Sequence, residues 1–84
     1  MTVDVVHRPE QSRFEAQVEG GPAALVYERE GGTVTMLHTV VPMEAEGQGV
    51  AGALAGAAVG WARKEGLEIV PQCSYVRGWL ERHG

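Results

Sequence analysis

The sequence predicts an α+β fold with the element order ββββαβα, and three observations carry that expectation. Apolar and polar residues alternate through four short segments before Pro42, the period of strands with one wet face. After Gly49 the period lengthens: Val50, Leu54, Ala57, Ala58 and Trp61 recur at helical spacing. A short apolar run, Leu67 to Gln72, then leads to a second helical pattern carrying Tyr75, Val76, Trp79 and Leu80.

Length and composition bound the function. Eighty-four residues suffice for one modest core, so a single domain over residues 1–84 is expected. With 44% hydrophobic and 21% charged residues, the chain has the makeup of a globular protein rather than a disordered one. The formal charge is -4, with acids and bases interspersed. Nucleic-acid binding wants a basic stripe and is not expected. The longest uncharged small and apolar run, Val50 to Ala62, has 13 residues, short of the roughly 20 that cross a bilayer. Asp4 and His7 interrupt the first apolar cluster, so no signal pattern is read there, and a cytoplasmic protein free of membranes is the expectation. Cys73 is the only cysteine and cannot form an intramolecular disulfide.

Taken in order, Val3 to Arg8 is a β-rich run ended by Pro9, which has no N–H to give a ladder. In Arg13 to Glu19, Phe14, Ala16 and Val18 share one face and Arg13, Glu15, Gln17 and Glu19 the other. The pair Gly20-Gly21 and Pro22 punctuate the chain before Ala23 to Glu30, where Leu25 and Tyr27 oppose Ala24, Val26 and Glu28. Gly31-Gly32 suits a two-residue hairpin turn into the strand Thr33 to Val41. A helix is expected from about Gln48 to Glu65, with basic Arg63 and Lys64 in its last turn and Gly66 as its stop. Pro71 confines its strand, Leu67 to Gln72, to an edge, a bulge or a splayed position. The last helix runs from Ser74, a plausible N-cap, to Arg82. A helix crossover makes the strands on either side of it parallel, and a ligand then belongs at their carboxyl ends.

The turn before the long helix concentrates the chemistry. Gly47-Gln48-Gly49-Val50-Ala51-Gly52 fits G-x-G-x-x-G, yet the context speaks against a dinucleotide fold. Pro42 to Glu46 separate the turn from its strand, and Gln72 and Cys73 stand where a ribose-binding acid belongs. No Gly-Lys-Ser/Thr follows for a P-loop, and Glu44 and Glu46 disfavour an RNA clamp. What remains is a glycine turn that presents backbone N–H groups to a phosphate at a helix start.

Glu46-Gly47-Gln48-Gly49-Val50-Ala51 resembles the pyrophosphate loop of the GNAT acetyltransferase superfamily, Arg/Gln-x-x-Gly-x-Gly/Ala, with Glu46 where that superfamily usually has Arg or Gln. His38-Thr39-Val40-Val41-Pro42, Gly66-Leu67, Pro71-Gln72-Cys73-Ser74-Tyr75-Val76 and Arg82-His83 extend the likeness to the small single-domain GNAT-like proteins, typified by a short plant acetyltransferase and bacterial relatives. The resemblance implies a minimal fold of this type, its parallel strand pair splayed around the coenzyme. It implies an N-acetyltransferase that uses acetyl-CoA and an amine, a small molecule or a protein, as acceptor. Val40, Val41, Gly47, Gln48, Gly49, Val50, Ala51, Cys73 and Tyr75 would contact the coenzyme, with the N–H groups of Gln48 to Ala51 on the pyrophosphate. Cys73 is then a candidate nucleophile and His38 a candidate general base; no metal is expected.

Plainer readings stand beside these. Cys73 is also what a small buried core residue looks like, and His38 shares its expected strand face with Val34, Met36 and Val40, as a core histidine would. Gly52, Gly56 and Gly60 form a stripe that suggests a close backbone approach to the sheet or a partner. A non-catalytic acyl-CoA-binding or protein-interaction module with the same fold is the alternative. A monomer or weak homodimer is expected.

Overall fold

The computed structural model describes residues 3–83. The elements are β1 (Val5–Arg8), β2 (Arg13–Val18), β3 (Gly21–Glu30), β4 (Thr33–Val40), α1 (Val50–Lys64), β5 (Glu68–Pro71) and α2 (Ser74–His83), with 3-10 turns at Pro9–Gln11 and Met43–Ala45. The order ββββαβα is the expected one, an α+β fold consistent with a minimal GNAT fold.

One sheet holds the five strands in sequence order, β1 to β4 antiparallel and β4–β5 parallel. The parallel pair follows from α1, which carries the chain back to start β5 beside the start of β4, Thr33 opposite Glu68. Pro71 closes β5 opposite Met36; β5 is an edge strand, where a missing N–H costs the sheet little. Both helices pack on one face. Leu25, Met36, Leu54, Val34, Val59 and Val76 are the largest fully buried side chains, and truncating such a residue to alanine costs about 2–5 kcal/mol.

Helix α2 lies against α1 at the glycine stripe. A Cβ on Gly52 would stand 3.3 Å from the Tyr75 hydroxyl, and one on Gly56 3.5 Å from the Trp79 ring. The close approach expected from the stripe is therefore to a helix of the same chain. Gly60 faces open space.

The register of β3 against β4 breaks between Val26 and Tyr27: Tyr27 opposes Met36 but Val26 opposes His38, leaving Leu37 as an extra residue on β4. Side chains therefore change faces across the bulge. Met36 is buried under the helices, and beyond Leu37 it is Thr39, opposite fully buried Leu25, that takes the helix side. His38 and Val40 pair with Val26 and Ala24 on the other face, where both are exposed. The expectation that His38 shares a face with Val34 and Met36 is corrected: a strict period of two does not survive an inserted residue.

At the far end of α1 an aromatic cluster closes the helix onto β1 to β3. His7 stacks on Phe14 with ring centroids 4.0 Å apart and planes 1° from parallel, and Trp61 meets it edge-on at 4.7 Å. The His7 Nε2 lies 2.7 Å from the Tyr27 hydroxyl. Burial lowers the His7 pKa below its ordinary value of 6.5, against a weaker upward pull from Glu10.

Two predictions follow from these contacts. Folding favours neutral His7, so its stabilising contribution is complete well above pH 6.5 and drains away as the pH falls below 6.5 through the lowered folded value. Thermal melts between pH 8 and pH 5 should show this decline in the native chain and a flatter profile in His7→Gln; parallel profiles would refute the assignment. Gly60→Ala, with nothing within 4 Å of the new methyl, should raise the unfolding free energy by about 1 kcal/mol, read from urea denaturation.

Candidate functional site

The start of α1 is bare. The helix begins at Val50 after Gly49, two residues later than the Gln48 start expected from periodicity, because Gly47 (φ 82°) and Gly49 (φ 78°) hold the preceding turn in left-handed conformations. Gly49 makes no side-chain cap and the first turn carries no acidic residue. The first backbone bond of the helix is from the Ala53 N–H to the Gly49 carbonyl. The N–H groups of Val50, Ala51 and Gly52 thus lack intrahelical acceptors and sit at the positive end of the helix dipole.

A cavity of about 270 Å³ opens in front of them. Ala45, Glu46, Gly47 and Gly49 line it from the turn, Val50, Ala51 and Gly52 from the helix, and Val41 and Tyr75 from across the gap. Its width depends on Gly52, whose missing side chain admits the Tyr75 hydroxyl. Unpaired N–H groups at a helix start, glycines that bring the backbone close and a cavity to receive a ligand together suit a phosphate group.

Next to this cavity the strands β4 and β5 part. The last link between them is the Cys73 N–H donating to the Met36 carbonyl at 2.8 Å. Cys73 caps α2, since its carbonyl accepts from the Arg77 N–H at 3.0 Å; the N-cap expected at Ser74 falls one residue earlier. The buried thiol lies 3.5 Å from the Thr39 hydroxyl. Burial pushes the Cys73 pKa up, but hydrogen bonds from the Thr39 hydroxyl and from the N–H groups of Val76, Tyr75 and Thr39 outweigh it, leaving the thiol below its ordinary value of 9.0. A helix start thus makes the sulfur easier to ionise than a free thiol.

Of the residues the resemblance implicates in coenzyme contact, Val41, Gly47, Gly49, Val50, Ala51 and Tyr75 line the cavity. Gln48 lines a second cavity of about 350 Å³ on the β1–β2 side, with Val3, Asp4 and Glu19 among its other walls. Val40 carries its side chain on the opposite face, 55% exposed, so its contribution on the cavity side is limited to backbone. His38 shares that opposite face and lies across the sheet from the thiol. Thr39, Ala45 and Gly52 join the site beyond the expected coenzyme contacts, and Glu46, the first position of the motif, lines the cavity with them. The bulge hides Thr39 from a reading of period two, and Gly52, in a stripe expected to approach the sheet or a partner, both meets Tyr75 and lines the cavity.

The model of a GCN5-related N-acetyltransferase family matches residues 13–84. The chain belongs to that family. Its fold and the bare start of α1 agree with membership, and transfer of acetyl groups, generally from acetyl-CoA, is the activity of the family. No curated protein shows a significant match. Among the described residues no group of three or more His, Cys, Asp or Glu side chains could hold a metal ion, and no helix is long and apolar enough to cross a membrane.

The Cys73 setting is directly measurable. The rate of iodoacetamide alkylation should rise with a midpoint below pH 9.0 in the folded protein. Thr39→Val should move the midpoint up and Thr39→Ser restore it. A midpoint identical in folded protein, unfolded chain and Thr39→Val would show that the surrounding donors do not act on the sulfur.

Proposed function

We propose that the chain transfers an acetyl group from acetyl-CoA to a primary amine. The observation that carries this reading is the uncapped start of α1, which opens onto a cavity beside the parting of β4 and β5. The N–H groups of Val50, Ala51 and Gly52 hold the pyrophosphate, with Gly47 and Gly49 letting the backbone approach it. Beyond Met36 the strand β4 has no β5 residue opposite it, so its backbone groups there, other than the Thr39 N–H that meets the Cys73 sulfur, are open to pair with the amides of the pantetheine arm.

Bound acetyl-CoA supplies an activated thioester: the amine nitrogen forms a new bond to the acetyl carbon as the C–S bond breaks, and the coenzyme leaves as its thiol with the proton lost by the amine. Two routes use the residues of this chain. In the direct one, the amine approaches from the face opposite the helices and His38, exposed there, accepts its proton. In the other, the Cys73 thiolate takes the acetyl group first, passes it to the amine and is returned as thiolate. The second reading, a non-catalytic acyl-CoA-binding or protein-interaction module with the same fold, draws support from Glu46, an acidic residue in the cavity wall that weakens the grip on a phosphate.

Acetyl-CoA at a hundredfold excess over its Kd should stabilise the protein by about 2.7 kcal/mol in thermal melts. Ala51→Asp sets a carboxylate among the phosphate-binding N–H groups at a position where a helix start tolerates it. This variant should keep its own melting temperature and lose most of the shift. Release of coenzyme thiol in the presence of amines should accompany binding, and intact mass should show an acetyl adduct in the native chain but not in Cys73→Ala if the sulfur route operates. Absence of any shift at millimolar acetyl-CoA would sink both the transferase and the binding-module readings.

A further inference from the structure

The face of the sheet away from the helices carries a patterned charge. Successive strands place Arg8, Arg13, Val26 and His38 opposite one another in a single row across β1 to β4. The Glu15 side chain lies beside this row on the same face of β2, 11% exposed. Two guanidinium groups shelter it: Arg8 Nε reaches Glu15 Oε1 at 3.2 Å, and Arg13 Nη2 pairs with Oε2. Burial raises the Glu15 pKa, but the hydrogen bond from Arg8 and the charge of Arg13 outweigh it and hold the group below 4.5. The trio therefore keeps one net positive charge on a chain whose formal charge is -4. The arginine side chains stay 49% and 39% exposed, and the two ion pairs leave most of their N–H donors uncommitted.

We propose that this face takes the acceptor and selects an amine that also carries a carboxylate, the amine end beside His38 and the carboxylate on Arg8 and Arg13. The inference rests on the acetyl-transfer reading, because a coenzyme on the helix side leaves the opposite face as the approach to the parting of β4 and β5. Ala24 and Val26 give the row a low floor between its two ends. Glu28 and Glu30, further along the same face of β3, repel a carboxylate and confine it to the arginine end. Two strand spacings separate β2 from β4, about 10 Å, the reach of about three extended residues. The fitting class is thus a short peptide with a free amino terminus and a carboxylate near its third residue.

Triglycine and triglycinamide differ in that carboxylate alone. With the isotopically labelled protein in the absence of coenzyme, triglycine should shift the backbone amide signals of Ala24, Val26 and Val40, and triglycinamide should shift them far less. In turnover, kcat/KM should favour triglycine by about tenfold, the size of one charge-assisted hydrogen bond. The ratio should fall to about one in Arg13→Gln, with Arg8→Gln as a second variant should the first lose its fold. Equal shifts for both peptides, shifts confined to other residues, or a preference that survives both substitutions would overturn the proposal. The two readings fail separately: selective shifts without acetyl-CoA binding would leave this face standing and remove the transferase, and transfer without charge preference would do the reverse.

Discussion

The hydrogen bond from the Cys73 N–H to the Met36 carbonyl is where the architecture turns into a site. Up to that point β4 and β5 are ordinary parallel neighbours, Thr33 to Met36 paired in register with Glu68 to Pro71. Past it β5 gives way to α2, while β4 continues to Val40. Proline at the end of β5 helps to stop the ladder, having no N–H to extend it. The same bond orients Cys73 so that its carbonyl starts α2 and its sulfur meets Thr39. Pairing, helix capping and the environment of the thiol are thus linked through one residue.

The helices hold this junction by close packing rather than by bulk. Alanine and glycine make up much of α1, and Gly52 and Gly56 bring it against Tyr75 and Trp79 of α2. Each glycine weakens the helix by about 1 kcal/mol relative to alanine, a cost repaid where the approach also shapes the cavity. The weight of the core falls elsewhere, on Leu25, Met36, Leu54 and Val76, and on the stacked His7, Phe14 and Trp61 at the distal end of α1. Rigid packing far from the site leaves its own backbone donors unpaired and accessible.

Much of this was legible in the sequence because it rests on local rules. Alternation located β2 and β3, the Gly31-Gly32 turn paired β3 with β4, and the change of period at Val50 marked α1. The two glycines of the phosphate turn were visible as a motif because their positive φ values require glycine. The orientation of His38 was not legible, since an inserted residue such as Leu37 leaves no mark on a pattern of apolar and polar residues. The contact of Thr39 with Cys73 spans 34 positions and depends on that same insertion. Nor does spacing alone show that Arg8 and Arg13 converge on Glu15, which requires the register of β1 on β2.

The bulge at Leu37 also imposes a rule on how this strand can vary. Before it, the even-numbered positions Val34 and Met36 carry the requirement for apolar, shape-matched side chains; after it, the helix side passes to odd-numbered Thr39, whose hydroxyl meets the Cys73 sulfur, and His38 and Val40 are released to solvent. The parity of constraint changes within one strand. Selection for packing and selection for recognition therefore act on adjacent residues without competing, so the outer face can be retuned to another acceptor while the inner face, with its cysteine and its coenzyme cleft, stays as it is.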